Sequence, residues 1–279
     1  MRISCFLLCF TLFYACNNSE RKEQVADKEA TTQYLHQAAF QQILDSAQVK
    51  GAILIYDAKK DLYYSNDFDW VKQGRLPAST FKITNSIIAL ETGVVENDST
   101  LFEWNGELRA LSVWEQDMIF RDAFHRSCVP CYQEIARAIG AARMNEYLQK
   151  LSYGNMVVDF SNIDLFWLQG NSRISPMEQI DFLQRLYEKQ LPISDRTSAI
   201  MKKMIVMEET DDYKLSGKTG WAIRDGHNNG WFVGYLEKEE QLYFFATNVD
   251  PQETFNMDFF PRIRSEVTMK AFEELGILE

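Results

Sequence analysis

The chain has 279 residues, 46% of them apolar and 25% charged, the balance of a globular protein with room for one large domain or two. Forty acidic residues against 29 basic ones give a net charge of −11, and no basic patch stands out. That argues against a nucleic-acid partner and against electrostatic attachment to an anionic membrane.

Residues 1–16 read as a targeting segment. Arg2 supplies a positive start, and Phe6 to Tyr14 form an apolar run too short to span a bilayer. Ala15-Cys16 then resembles the lipobox of bacterial lipoproteins, with Cys16 as the lipidated residue, although Phe13 and Tyr14 depart from that pattern. Ordinary signal-peptide cleavage is the rival. Either route predicts a periplasmic protein, and the first a membrane-anchored one. Residues 17–31 are polar and charged and read as a flexible tether. The body of the chain is then residues 32–279.

Along the body, residues 33–47 suggest an amphipathic helix. Gly51 to Tyr56, with Ile53-Leu54-Ile55, reads as a buried strand, and Leu62-Tyr63-Tyr64 as its hairpin partner. From Ala78 to about Gln190 the pattern is mainly helical. Pro130 suits the first turn of a helix carrying Tyr132, Ile135, Ala136 and Ile139 and closed near Gly140. Ser175-Pro176-Met177-Glu178 is a capping box with proline at the first helical position. Strands return at Tyr213 to Lys218, Gly230 to Leu236 and Leu242 to Thr247, and a last helix is expected from about Arg264 to Leu275. This order predicts an α+β fold. An antiparallel sheet is assembled from the two ends of the chain and flanked by helices, with a helical lobe over about 78–190 inserted between them.

The chemistry is carried by Ser79-Thr80-Phe81-Lys82, followed about 140 residues later by Lys218-Thr219-Gly220. On a helix, Ser79 and Lys82 share a face. A serine hydroxyl becomes a useful nucleophile when a base takes its proton, and a lysine held neutral can do so. Ser-x-x-Lys alone means little, as the chance match Ser19-Glu20-Arg21-Lys22 shows. Around Ser79, however, Pro77-Ala78 precede the motif and Ile83, Ile87, Ile88 and Leu90 follow it up to Gly93. That places Ser79 at the start of a buried helix, where free N–H groups favour a developing oxyanion. The plainer reading is that Ser79 only caps the helix. His36, His125 and His227 are widely separated and Cys128-Val129-Pro130-Cys131 has no second ligand pair, so no metal site is predicted.

Ser127-Cys128-Val129, Tyr153-Gly154-Asn155 and Phe166-Trp167-Leu168 fall in order between Ser79 and Lys218-Thr219-Gly220-Trp221. Together with Trp114-Glu115, Tyr132 to Arg137 and Gly230 to Tyr235, these motifs resemble those of the class D (oxacillinase-type) serine β-lactamases over roughly residues 35–277. The resemblance implies a β-lactamase/transpeptidase-like fold, with residues 32–279 as one penicillin-recognising catalytic domain. It also implies hydrolysis of a small-molecule β-lactam through an acyl-enzyme on Ser79. Lys82 would be the general base, carboxylated by carbon dioxide, with no other cofactor. Phe81, Val129, Trp167 and Leu168 would wall a dry pocket around it, and the Trp167 N–H would bond the carbamate. Ser127 would relay a proton to the lactam nitrogen, and the backbone N–H groups of Ser79 and Trp221 would form the oxyanion hole. Lys218, Thr219, Gly220 and Arg264 would bind substrate, Arg264 being preferred to Arg262 as the carboxylate ligand. Leu111 and Ile223 match positions at the mouth of the cleft.

Plainer readings stand beside these. Trp167 could serve as core packing. Tyr153-Gly154-Asn155 could be a turn with Asn155 left-handed. Cys128 and Cys131 read first as two small packing residues, with a disulfide or a reactive thiol as the alternatives. The competing functions are a β-lactam sensor that acylates without fast deacylation and a cell-wall DD-peptidase or transpeptidase. Membrane contact is expected only through the N-terminal anchor, and no feature of the sequence specifies an oligomeric state.

Overall fold

The structure, a computed structural model, describes residues 32–279. The targeting segment, Cys16 and the tether lie outside the described residues. Nine strands and eight helices are found among those described. The strands are β1 (Gln33–His36), β2 (Val49–Asp57), β3 (Leu62–Ser65), β4 (Leu101–Phe102), β5 (Met118–Ile119), β6 (Val206–Glu209), β7 (Lys214–Arg224), β8 (His227–Lys238) and β9 (Gln241–Pro251). The helices are α1 (Ala38–Ser46), α2 (Lys82–Glu91), α3 (Phe120–His125), α4 (Val129–Ile139), α5 (Ala141–Leu151), α6 (Pro176–Tyr187), α7 (Asp195–Met204) and α8 (Phe260–Glu274).

Seven strands make one sheet in the order β1-β3-β2-β9-β8-β7-β6. The two ends of the chain meet at its centre, where β2 runs antiparallel to β9 from Val49↔Pro251 to Asp57↔Tyr243. Both faces are covered, which explains why Ile53-Leu54-Ile55 is continuously apolar rather than alternating. Ala52, Leu54, Val233 and Phe244 face the inserted helical lobe, with α2 and α4 in the same core. Ile53, Ile55, Phe232 and Phe245 face the second layer, formed by α1 and α8 with Phe40, Val267 and Phe272. No helix among the described residues is long and apolar enough to cross a membrane.

Three expectations change. Residues 33–47 are not one helix. Gln33–His36 is an edge strand paired in parallel with β3, so the sheet is mixed at that margin, and the helix begins only at Ala38. The stretch from 78 to 190 also holds the two-stranded β4–β5 ribbon and a long irregular segment between α5 and α6. The last helix starts at Phe260, with Pro261 in its first turn, rather than near Arg264.

Candidate active site

Ser79 lies in a 3-10 turn, Ala78–Phe81, that runs directly into α2. Pro77 fixes the approach with φ −67°, and Ala78 then takes a left-handed φ of 51°. Such a conformation is sparsely populated for a side chain with a Cβ and must be held by its surroundings. Here the Ala78 N–H donates to Trp167 O at 2.8 Å, and the Thr80 hydroxyl donates to Pro77 O at 2.6 Å. Gln179 of α6 in turn donates to Thr80 Oγ1 at 2.9 Å.

Ser79 does not cap the helix. Its hydroxyl accepts a hydrogen bond from Lys82 Nζ at 3.0 Å. Lys82 is fully buried, with the Tyr132 ring centroid 5.0 Å from its nitrogen. Burial, and after it the charge of Lys218, hold the Lys82 pKa well below the ordinary lysine value. Phe81 packs against Trp167, Phe166 and Tyr153. Trp167 is wholly buried, and its indole N–H has no hydrogen-bond partner among the described residues. Val129 opens α4 three residues before Tyr132, and both Val129 and Leu168 are half-buried.

Ser127 follows α3 and also has a left-handed φ, 51°. Lys218 Nζ donates to its hydroxyl at 2.5 Å and to Thr219 O at 3.1 Å. Desolvation, followed by the charge of Arg264, lowers the Lys218 pKa to about 7. Ser79 from the 3-10 turn and Lys82 from the start of α2, Ser127 from the α3–α4 link and Lys218 from β7 therefore converge.

Strand β7 divides its side chains between two faces. Lys218 and Gly220 turn toward the lobe that carries Ser79, and Gly220 lies so close that a Cβ there would sit 3.2 Å from Pro77 O and Thr80 N. Thr219 and Trp221 turn toward α8, where Trp221 packs on Phe260. The Gly217 N–H bonds Ile205 O at 2.8 Å, away from β8, and alternation points the N–H of Trp221 the same way. Paired residues of β6 reach only to Ser216, so this N–H projects from the strand edge beside the Ser79 turn.

Arg264 reaches across from α8 on the Thr219 face. Its Nε donates to Phe260 O at 3.1 Å, and its terminal nitrogens donate to Gly220 O and Pro261 O. One N–H remains on each terminal nitrogen. Burial lowers its pKa to about 10. Arg262 is exposed and lies 3.9 Å from Glu266 instead. Leu111 and Ile223 are both exposed.

Some sequence expectations need correction. In Tyr153-Gly154-Asn155 the positive φ belongs to Gly154, at 53°, and not to Asn155. Asn155 instead exchanges two 2.8 Å backbone bonds with Arg173. Cys128 and Cys131 are not merely packed but joined in a disulfide. Tyr132 was placed on its helix by sequence but not in the site. Its signal is the one-turn spacing from Val129, matched by Ser86 one turn beyond Lys82, whose hydroxyl meets the Tyr132 hydroxyl at 2.7 Å.

A family profile described as the penicillin binding protein transpeptidase domain matches residues 43–262. Beta-lactamase OXA-10 of Pseudomonas aeruginosa is 39% identical over 233 residues, covering 82% of this chain and 86% of that protein. Among solved structures, the class D β-lactamase YbXI from Nostoc shares 44% identity with a TM-score of 0.82, over 86% of this chain and 99% of that one. The class D β-lactamase of Sebaldella termitidis shares 36% identity with a TM-score of 0.85, over 89% of this chain and 100% of that one.

Proposed function

The chain belongs to the class D β-lactamases, and from that membership and the geometry of Ser79 we propose that it hydrolyses β-lactams through a serine acyl-enzyme. The observation that carries the reading is the 3.0 Å contact between Ser79 Oγ and a fully buried lysine amine. A neutral Lys82 takes the Ser79 proton as Oγ attacks the lactam carbonyl. The N–H groups of Ser79 and Trp221 bear on the oxyanion. The ring C–N bond breaks, Ser127 gives its proton to the departing nitrogen, and Lys218 is placed to replace it. Arg264 and Thr219 lie on one face of the strand edge and suit the substrate carboxylate. Water then cleaves the ester.

The finer reading is that Lys82 is carboxylated. The residues present fit that group: an amine whose neutral form is favoured can attack carbon dioxide, and the unpartnered Trp167 N–H offers a donor. A carbamate would supply an anionic base at Ser79. Mass spectra or carbon NMR of bicarbonate-loaded protein would detect it, and their silence would leave Lys82 as a plain amine. The targeting segment with Cys16 supports export to the periplasm and lipid anchoring.

The decisive experiment is intact-protein mass spectrometry with excess penicillin. Rapid product formation with a short-lived adduct is expected, with no adduct in Ser79→Ala and a persistent one, if any forms, in Lys82→Ala. An adduct on the native protein that lasts for hours without product would overturn hydrolysis in favour of a sensor.

A further inference from the structure

We propose that the Cys128–Cys131 disulfide is a positioning device that holds the Ser127 hydroxyl at Lys218. The inference rests on the proton-relay reading of Ser127 given above. The disulfide joins the residue preceding α4 to the third residue of that helix, across its first turn. Pro130 suits that turn, but cysteine is not among the residues favoured as helix caps, so the turn has no ordinary side-chain cap. The staple supplies what a cap would, and it presents Cys128 Sγ as the acceptor for the Cys131 N–H at 3.2 Å.

Ser127 sits immediately before this stapled turn. On its other side it is tied to α3: its N–H bonds Phe124 O at 3.1 Å, and the Cys128 N–H bonds Ala123 O at 2.9 Å. Between the two anchors its φ is 51°, a conformation serine adopts only under constraint. The hydroxyl is 2.5 Å from Lys218 Nζ, so relaxation of that dihedral would swing it off its partner. The disulfide also borders a small cavity lined by Trp104, Arg109, Trp114 and Glu134, on which side Cys131 is half-buried. Reduction breaks one S–S bond and adds two electrons and two protons to leave two thiols. A dithiol reductant supplies them and is itself oxidised to a cyclic disulfide.

The test compares the oxidised native protein, the same protein reduced with dithiothreitol, and the variant Cys128→Ser/Cys131→Ala. That variant keeps a good helix cap and lacks the staple. Reduction and the variant should each lower kcat for penicillin about tenfold with KM changed less than twofold, a misplacement effect. Reoxidation should restore the native protein, and the variant should ignore the reductant. Amide hydrogen exchange at Ser127 and Cys128 should quicken in the reduced protein and the variant, with the sheet unchanged. Unaltered kcat and exchange in both would overturn the proposal. If the oxidised native protein hydrolyses no β-lactam, the functional reading fails, and the exchange rates still decide whether the disulfide fixes Ser127.

Discussion

Arg264 shows how little freedom a substrate-binding residue has in this site. Its stem passes over Gly230, where an added Cβ would lie 2.8 Å from Arg264 Cδ and 2.7 Å from Phe260 Cζ. Its head is held by three carbonyls, including Gly220 O of the strand edge. Two consequences can be measured. Arg264→Ala should raise KM for penicillins by about 1.5–3 kcal/mol, roughly tenfold to a hundredfold, by removing a charged hydrogen-bond donor. Arg262→Ala should change KM less than twofold, since that side chain is exposed and turned to Glu266. Steady-state kinetics on the two variants decide this, and the reverse ranking would mean that Arg262 binds the carboxylate. Gly230→Ala should push Arg264 and Phe260 aside. An overpacking cost of about 1–3 kcal/mol in a denaturant titration is expected, together with a raised KM. An alanine that leaves both quantities at native values would show that Arg264 is not set by this crossing.

At the scale of elements, what could be read from the sequence follows burial and chemistry. The capping box before α6 was legible because Ser175, Pro176 and Glu178 announce it. The structure gives Ser175 N–H to Glu178 Oε2 at 2.7 Å and Glu178 N–H to Ser175 Oγ at 3.2 Å. Strand β2 was legible because both its faces are buried. By contrast, all four residues of β1 are exposed, so no burial pattern distinguishes that strand from a helical start. The irregular segment before α6 has no period to read, since backbone bonds such as Asn155–Arg173 and Ala78–Trp167 fix it. The left-handed backbones of Ala78 and Ser127 belong to residue types that do not advertise them. The early start of α8 was readable from Pro261, through the preference of proline for a first turn. The cap of α6 matters to the site because Gln179 on that helix holds Thr80. Ser175→Ala should therefore cost about 0.5–2 kcal/mol, and Ser175→Gly only a few tenths. Thermal unfolding should fall by about 2–4 °C per kcal/mol. An unchanged midpoint for the alanine variant would show that α6 is held by packing alone.

For the whole molecule, the site makes stability depend on pH in a direction that can be worked out. An unfolded lysine takes up its proton near pH 10.4, roughly, whereas Lys218 in the fold does so only at about 7. Between those values the unfolded chain binds the extra proton. The contribution of Lys218 is thus fully present above the unfolded value and is lost as pH falls through the window, by up to about 1.4 kcal/mol per pH unit. Lys82 acts in the same sense. The tyrosines act oppositely. Burial raises Tyr56 to about 12 and Tyr132 and Tyr153 further, so stability is lost as pH rises past their unfolded value near 10. Guanidinium unfolding in carbon dioxide-free buffer should therefore show stability climbing from pH 7 to about 9.5 and turning down above about 10. Bicarbonate should flatten the climb. A carbamate anion on Lys82 would sit beside Lys218, favour its charged form and raise its pKa toward the ordinary value. Lys218→Met should flatten the native climb in part, leaving the share due to Lys82. A climb that bicarbonate does not alter would argue against carboxylation. A profile already flat without bicarbonate would mean that both lysines are charged in the fold, and then Lys82 could not take the Ser79 proton.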